Sequence, residues 1–353
     1  TQRGAQDRTI RGLHPFHEPD HLGFLQPMVR PGDQGLVAHV HGDDDAPVKP
    51  AFVVATFNTG TTAGMGHDAL PDDGYGVAQA KISDQYYGDG LAWLEVIDDT
   101  RRWFEANPVD IVGFQEIFHP GDCATVPDEA KPGFVCESWK PGDASVAQLI
   151  LGQGFQVACH QGHSDKCLAV RKSTGTFQGC AADLCLDGLD GAEVPGCGKG
   201  SQIGRGVVEL EAGGSITVVN VHGSSGIAQD DQDCRLKQFG LVFIDMGDGA
   251  PAANGERNVV LGDFNTDPVR MADFDESAAF LTEQTGPGKK QRFVTRVGQD
   301  APATYGGLFN IDHVSSDAFV GNCWVAGLSG AHAQVSETLY FDHKPHVCRL
   351  SAR

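Results

Sequence analysis

Residues 259–268 read VVLGDFNTDP, setting a carboxylate, Asp263, and a carboxamide, Asn265, two places apart where an apolar run gives out. Strand side chains alternate faces, so this spacing predicts that Asp263 and Asn265 look out together while Phe264 turns into the core. A carboxylate can orient a water, and a carboxamide can steady a charged oxygen. Gly, Asp, Asn and Pro are also ordinary turn residues, and alone the decapeptide reads as a polar turn. The same placement recurs along the chain. Asn58, Glu116, His222, Asp312, Asp342 and His343 all stand at or beside the ends of apolar runs, where a rigid sheet usually carries its chemistry.

The elements that must position these groups are legible. AFVVATFN (51–58) reads as a strand, followed by a Gly-rich stretch to about residue 90. LAWLEVIDDTRRWF (91–104) has helical spacing, and VDIVGFQE (109–116) is a second buried strand. This is a strand, helix, parallel strand pattern. GFQVACH (154–160) and KCLAVRK (166–172) are strand-like, and 204–223 predicts two strands joined by a Gly-Gly turn. Residues 230–246 have helical spacing, 258–262 deliver Asp263, 310–320 read as one strand, and 337–350 close the chain. Residues 1–50 lack periodicity and predict an extension wrapped on the surface, its five histidines showing no metal-binding spacing. No linker divides 51–353.

Lys and Arg number 26 against 47 Asp and Glu, a net charge of −21. That excess disfavours tight non-specific binding to a phosphate backbone, which needs clustered cations. Ten cysteines, seven of them between 123 and 197, form no CxxC pair and no zinc-finger spacing. They predict disulfides, a stapled insertion around 118–200 and an oxidising compartment. Cys123 with Cys136 and Cys323 with Cys348 are the expected pairs. No apolar stretch is long enough to span a membrane and no signal pattern opens the chain, so a secreted chain whose leader has been removed is expected. The lack of an Asn-x-Ser/Thr acceptor points to a bacterial source, extracellular or periplasmic.

In order, ATFNTG with Asn58, GFQEIF with Glu116, NVHGSS with His222, GDFNTD with Asp263 and Asn265, NIDHV with Asp312 and FDHKP with Asp342 and His343 resemble the motif set of the DNase I-like endonuclease/exonuclease/phosphatase superfamily. The resemblance covers about residues 51–350. It implies an α/β fold, a four-layer αββα sandwich of two mixed β-sheets flanked by helices, and divalent-metal-assisted cleavage of phosphoesters. It makes Asn58, Glu116 and Asp342 the metal set, with Mg²⁺ expected and Mn²⁺ or Ca²⁺ as alternatives, all suited to hard oxygen ligands. It makes His222, Asp263, Asn265, Asp312 and His343 the catalytic set: Asp312 pairs with His343, His222 contacts the phosphate, Asp263 orients water and Asn265 steadies the phosphoryl oxygens. His313 reads as structural. Two departures stand out. Phe341 occupies the place where Ser or Thr commonly precedes the terminal Asp-His, and the glutamate that partners the first histidine in DNase-type members has no evident counterpart. The gap from Asn58 to Glu116 also implies an inserted loop around 60–90.

The expected function is a secreted phosphodiesterase or nuclease acting on a nucleic acid. The alternatives are a sphingomyelinase or phospholipase C-type enzyme acting on a lipid headgroup, a phosphomonoesterase, or a non-catalytic binding module. No obligate protein partner is expected. GKKQRF (288–293) and the Arg235/Lys237 pair are the candidate cations for a polyanion, Arg171 is a candidate phosphate ligand, and Trp139 is the candidate for reaching a bilayer.

Overall fold

The computed structural model describes residues 51–61 and 74–353. The expected N-terminal extension and part of the expected 60–90 loop lie outside these residues. In chain order the elements are β1 Ala51–Asn58, α1 Val77–Tyr87, α2 Leu94–Ala106, β2 Ile111–Gln115, α3 Val146–Leu151, β3 Phe155–His160, β4 His163–Arg171, β5 Gly175–Phe177, β6 Leu184–Leu189, β7 Ile203–Leu210, β8 Ser215–His222, α4 Gln229–Phe243, β9 Asn258–Asp263, α5 Glu276–Thr285, β10 Arg292–Phe293, β11 Asp312–Ser316, β12 Phe319–Val325 and β13 His346–Ala352.

The strands form a seven-stranded sheet, β12-β13-β1-β2-β4-β3-β6, and a six-stranded sheet, β10-β11-β9-β8-β7-β5. Both are mixed: β1 runs parallel to β2 and β8 parallel to β9, while β1 with β13 and β7 with β8 are antiparallel. Alternation of side chains gives each sheet two apolar faces. Val54, Ile111, Leu168 and Val170 of the first meet Val208, Val218, Leu261 and Val314 of the second in one core between the sheets. The outer face of the first sheet packs on α2 and α3 through Phe57, Phe114, Val96, Phe104 and Ile150. The outer face of the second packs on α4 and α5 through Val219, Val260, Phe239 and Leu281. These are the four layers of an αββα sandwich.

Several boundaries differ from the sequence reading. The Gly-rich stretch contains α1, whose buried face, Ala80, Ser83 and Tyr87, is too small and polar to give a helical signal. The single strand expected over 310–320 is two. Ser316 Oγ accepts the N–H groups of Ala318 and Phe319, at 3.2 and 3.1 Å, turning the chain so that β11 joins one sheet and β12 the other. The closing segment is a loop that carries Asp342 and His343 before becoming β13. The Gly213-Gly214 turn forms as expected, both residues having positive φ.

All ten cysteines are paired. Cys123–Cys136 and Cys323–Cys348 are as expected, with Cys159–Cys167, Cys180–Cys185 and Cys197–Cys234 completing the set. Such a set belongs to an oxidising environment. Cys197–Cys234 leaves the cysteine-rich stretch and ties it to α4. Among the described residues no helix is long and apolar enough to cross a membrane.

Candidate active site

Strand register sets the site. In the second sheet His222 of β8 lies opposite Asp263 of β9, and Asp263 opposite Asp312 of β11, so three of the expected residues form one row across three strands. In the first sheet Asn58 ends β1 opposite Gln115 of β2, and Glu116 follows. Two glycines keep this row tight. A Cβ on Gly262 would sit 2.1 Å from the Val221 carbonyl oxygen, and one on Gly60 would sit 2.0 Å from Glu116 Oε2. Beneath the row, buried between the sheets, Gln115 Nε2 donates to Asn220 Oδ1 at 2.6 Å and Asn220 Nδ2 to His160 Nε2 at 3.1 Å. His160 Nδ1–H donates to the Ser201 carbonyl at 3.1 Å, which fixes the tautomer.

Asp263 is fully buried and central. Its Oδ2 accepts from Asn58 Nδ2 and from Asn265 Nδ2, each at 3.0 Å, and its Oδ1 accepts from Asn265 N at 2.7 Å. His222 Nε2 lies 3.9 Å and His343 Nε2 3.7 Å from Oδ2. His343 Nδ1–H donates to Asp312 Oδ2 at 2.8 Å, leaving Nε2 toward Asp263, and His222 Nε2 lies 3.3 Å from Glu116 Oε1. Asp342 lines the same cleft, of about 260 Å³, as Asn58, Glu116, Asp263, Asn265 and His343. All eight expected residues therefore meet at one place.

One expected geometry is corrected. Asn265 does not share a strand face with Asp263. β9 ends at Asp263, and Asn265 reaches it from a turn, with φ of +51°. Asn58 is placed as a donor: its Nδ2 faces Glu116 and Asp263 while its Oδ1 accepts from Gly60 N at 2.9 Å. As a metal ligand it would need its amide reversed. Glu116 itself has φ of +56°, and among the described non-glycine residues just three have positive φ, Asp89 being the third. Backbone strain of this kind gathers at functional sites.

The charges follow from burial and pairing. Burial alone would raise Glu116, but the hydrogen bond and charge of His222, with help from Asn58, hold it down at about 2. Burial raises Asp263 above the ordinary carboxylate range, opposed by His343 and reinforced by Asp312. Burial would lower His343, but Asp312 and Asp263 outweigh it and push it up to about 10, so the ring is an imidazolium at neutral pH. Asp312 Oδ1 and His222 Nδ1 are buried without a hydrogen-bond partner.

A divalent cation fits this donor set. Glu116 and Asp342, both half-buried, offer hard oxygens on the cleft, and with the buried Asp263 and Asp312 they set four carboxylates against two imidazoles, an excess that calls for positive charge. Asp263, Asp312 and His343 also bring one ligand atom each within 4.8 Å of one another. Their mutual hydrogen bonds already satisfy much of that group, so Glu116 with Asp342 is the better-placed pair.

Other sequence candidates lie elsewhere. Arg171 sits over the Phe155 ring at the far end of β4. GKKQRF belongs to the β10 edge, paired with the end of β11 remote from Asp312, and Lys290 faces Asp317 at 3.4 Å. Trp139 is half-buried, packed against the core with its Nε1 donating to the Ala144 carbonyl. His313 is buried against Phe264 and Phe293, as a structural role requires. Arg235 is fully buried. It donates to Ser277 Oγ, Asp275 Oδ2 and the carbonyls of Ser224 and Gly226, and so holds the loop after His222 in place. We expect Arg235→Met to cost about 3 kcal/mol, because it strands Asp275 as a buried charge. Urea unfolding of the variant checks this, and an unchanged midpoint would refute it. The sequence reading missed Tyr305, whose ring lies 4.8 Å from that of His343, and Lys166, which lines the adjoining cleft. A tyrosine in a loop and a lysine at a strand start carry no periodic signal.

No family model matches this chain, and no curated protein matches it. Among solved structures it is similar to an endonuclease/exonuclease/phosphatase from Beutenbergia cavernae DSM 12333 (16% identity, 86% of this chain and 72% of that one, TM-score 0.49). It is also similar to truncated TDP2 of Caenorhabditis elegans (13% identity, 86% and 98%, TM-score 0.48) and to ANGEL2, described as a 2′,3′-cyclic phosphatase (12% identity, 86% and 96%, TM-score 0.47).

Proposed function

We propose that this chain is a divalent-metal-dependent phosphoester hydrolase, a phosphodiesterase that cleaves its substrate by attack of water. One observation carries the reading: a buried carboxylate, Asp263, stands between two imidazoles, one of them, His343, held by a second buried carboxylate, beside a cleft walled by Glu116 and Asp342. The bound cation would supply charge neutralisation at the phosphoryl oxygens, with Glu116 and Asp342 holding it. Asp263 orients the attacking water and takes its proton, for which a raised carboxylate is suited. Asn265, fixed by its bonds to Asp263 and the Gly223 carbonyl, limits the swing of that carboxylate. His343, as an imidazolium, donates to an oxygen of the phosphoryl group, and Asp312 keeps its Nε2 aimed there. His222 faces Glu116 and reaches the phosphate from the other side, where its ring N–H would donate to the leaving oxygen as the bond from that oxygen to phosphorus breaks.

In this reading residues 51–353 form the catalytic domain and 118–200 its disulfide-bearing insertion, and the enzyme acts outside the cytoplasm of a bacterium. The nuclease assignment keeps its place because a polyanion can be held through the metal. A lipid-headgroup substrate is the second reading, favoured by apolar side chains exposed near the cleft. Ile227 is 67% and Leu308 68% exposed, Phe274 is exposed too, and Gln232 bridges the Ile227 and Phe274 carbonyls at 3.0 Å each. Trp139 gives that reading no support.

Hydrolysis of duplex DNA, single-stranded DNA, sphingomyelin and bis(p-nitrophenyl) phosphate with Mg²⁺, Mn²⁺, Ca²⁺ or EDTA tests the proposal. We expect at least one substrate to be cleaved with metal, no cleavage with EDTA, and a His222→Ala loss of about 10²-fold or more. Cleavage that survives EDTA or His222→Ala would overturn the reading, as would no cleavage of any substrate.

A further inference from the structure

We infer that Lys166 is a phosphate-binding side chain of this site, approaching a non-bridging oxygen of the scissile phosphoryl group from the His222 side. The inference rests on the hydrolase reading above and names a residue outside the set that the sequence motifs mark.

Lys166 lies on β4, which runs antiparallel to β2 with Phe114 opposite Cys167, and Ile117 N donates to the Asp165 carbonyl at 2.9 Å. That register brings Lys166 to the end of β2 where Glu116 stands. Its side chain is 5% exposed and lines a cleft of about 380 Å³ together with Glu116, His222, Gln202 and Ser224. This cleft shares Glu116 and Ser225 with the one that holds Asp263 and His343. Among the described residues that line the two clefts, Lys166 is the sole lysine or arginine.

A buried ammonium needs compensation, and here it is fixed in place. Nζ donates to Asp165 Oδ2 at 2.6 Å and lies 3.4 Å from His163 Nδ1, while His163 Nδ1 also lies 3.0 Å from Asp165 Oδ1. His163 Nε2 meets the Lys199 carbonyl. An ammonium carries three donors, and Asp165 engages one of them fully. A donor thus remains for a substrate oxygen on the same side as His222. Asp230 and Asp231 also line this cleft. Their charges would oppose a second phosphate in that cleft, so Lys166 is matched to a single phosphoryl group.

Calorimetric binding of inorganic phosphate, alongside hydrolysis of bis(p-nitrophenyl) phosphate in Mg²⁺, tests this with wild type, Lys166→Met, Lys166→Gln and Lys166→Arg. We expect phosphate affinity to fall about tenfold or more in the Met and Gln variants, KM to rise in parallel, and Arg to restore both to within about threefold. Melting temperature decides whether a Lys166→Met loss is one of folding, and Lys166→Gln, which keeps a polar tip for Asp165, is read in its place if so. Unchanged phosphate affinity in a folded Met or Gln variant overturns the inference, as does a wild type that binds no phosphate. Lys166-dependent phosphate binding in a wild type that hydrolyses nothing would uphold the site while removing the hydrolase reading.

Discussion

Asp263→Asn is expected to lower kcat for a phosphodiester about 10³-fold with little change in KM. The substitution keeps the shape of the side chain and removes the one group placed to accept a proton from water between His222 and His343. Asp263 is fully buried and already raised by that burial, so neutralising it removes an uncomfortable charge, and the fold should survive. Steady-state kinetics on bis(p-nitrophenyl) phosphate, with a melting curve on the same sample, check both halves. A variant with full activity would remove Asp263 from the proton path. A parallel rise in KM would instead mean that Asp263 holds substrate.

The second large effect is on stability in acid. Burial holds His160 at about 3 and, again through burial with His346 adding to it, His313 at about 4, both far below an exposed histidine. Below about pH 6.5 the unfolded chain takes up protons that these buried rings refuse, so stability present at neutral pH is lost as the pH falls from about 6.5 toward 4. Two rings shifted by a few pH units each put the loss at several kcal/mol, on the order of 1.4 kcal/mol per unit. Urea midpoints at pH 7.5, 5.5 and 4 should therefore fall steeply. His160→Gln removes one of the two titrating groups, so it should flatten that slope while lowering the midpoint at pH 7.5, since it disturbs the bonds to Ser201 and Asn220. An unchanged slope in the variant would place the acid sensitivity elsewhere.

Much of the chemistry is legible in the sequence because apolar runs bury themselves and their polar ends cannot. Asn58, Glu116, His222 and Asp263 stand where β1, β2, β8 and β9 stop, and a strand long enough to recognise fixes where it stops. Asp312 is visible for the same reason, although the run that follows it proves to be two strands. The sequence marks that run as extended but does not say that the hydroxyl of Ser316 turns it from one sheet into the other. Cysteine usage announces disulfides and points to two of the five pairs. It does not link Cys197 to Cys234, since pairing across 37 residues depends on where α4 comes to rest.

What only the tertiary structure decides is how these groups face one another. Spacing of two residues suggests a shared strand face for Asp263 and Asn265, and the pair does meet, but through a positive-φ turn that no alternation rule describes. The amide of Asn58 meets two carboxylates, Glu116 and Asp263, that come from distant strands. Lys166 and Arg235 show the same limit from opposite sides: a lysine at a strand start proves to line the cleft, and an arginine on a helix proves to be buried scaffolding. Residue type and periodicity are local and survive in the sequence. Strand register, burial of a charge and the choice of its partner arise from contacts 40 to 205 residues apart, and they exist only once the two sheets have closed on each other.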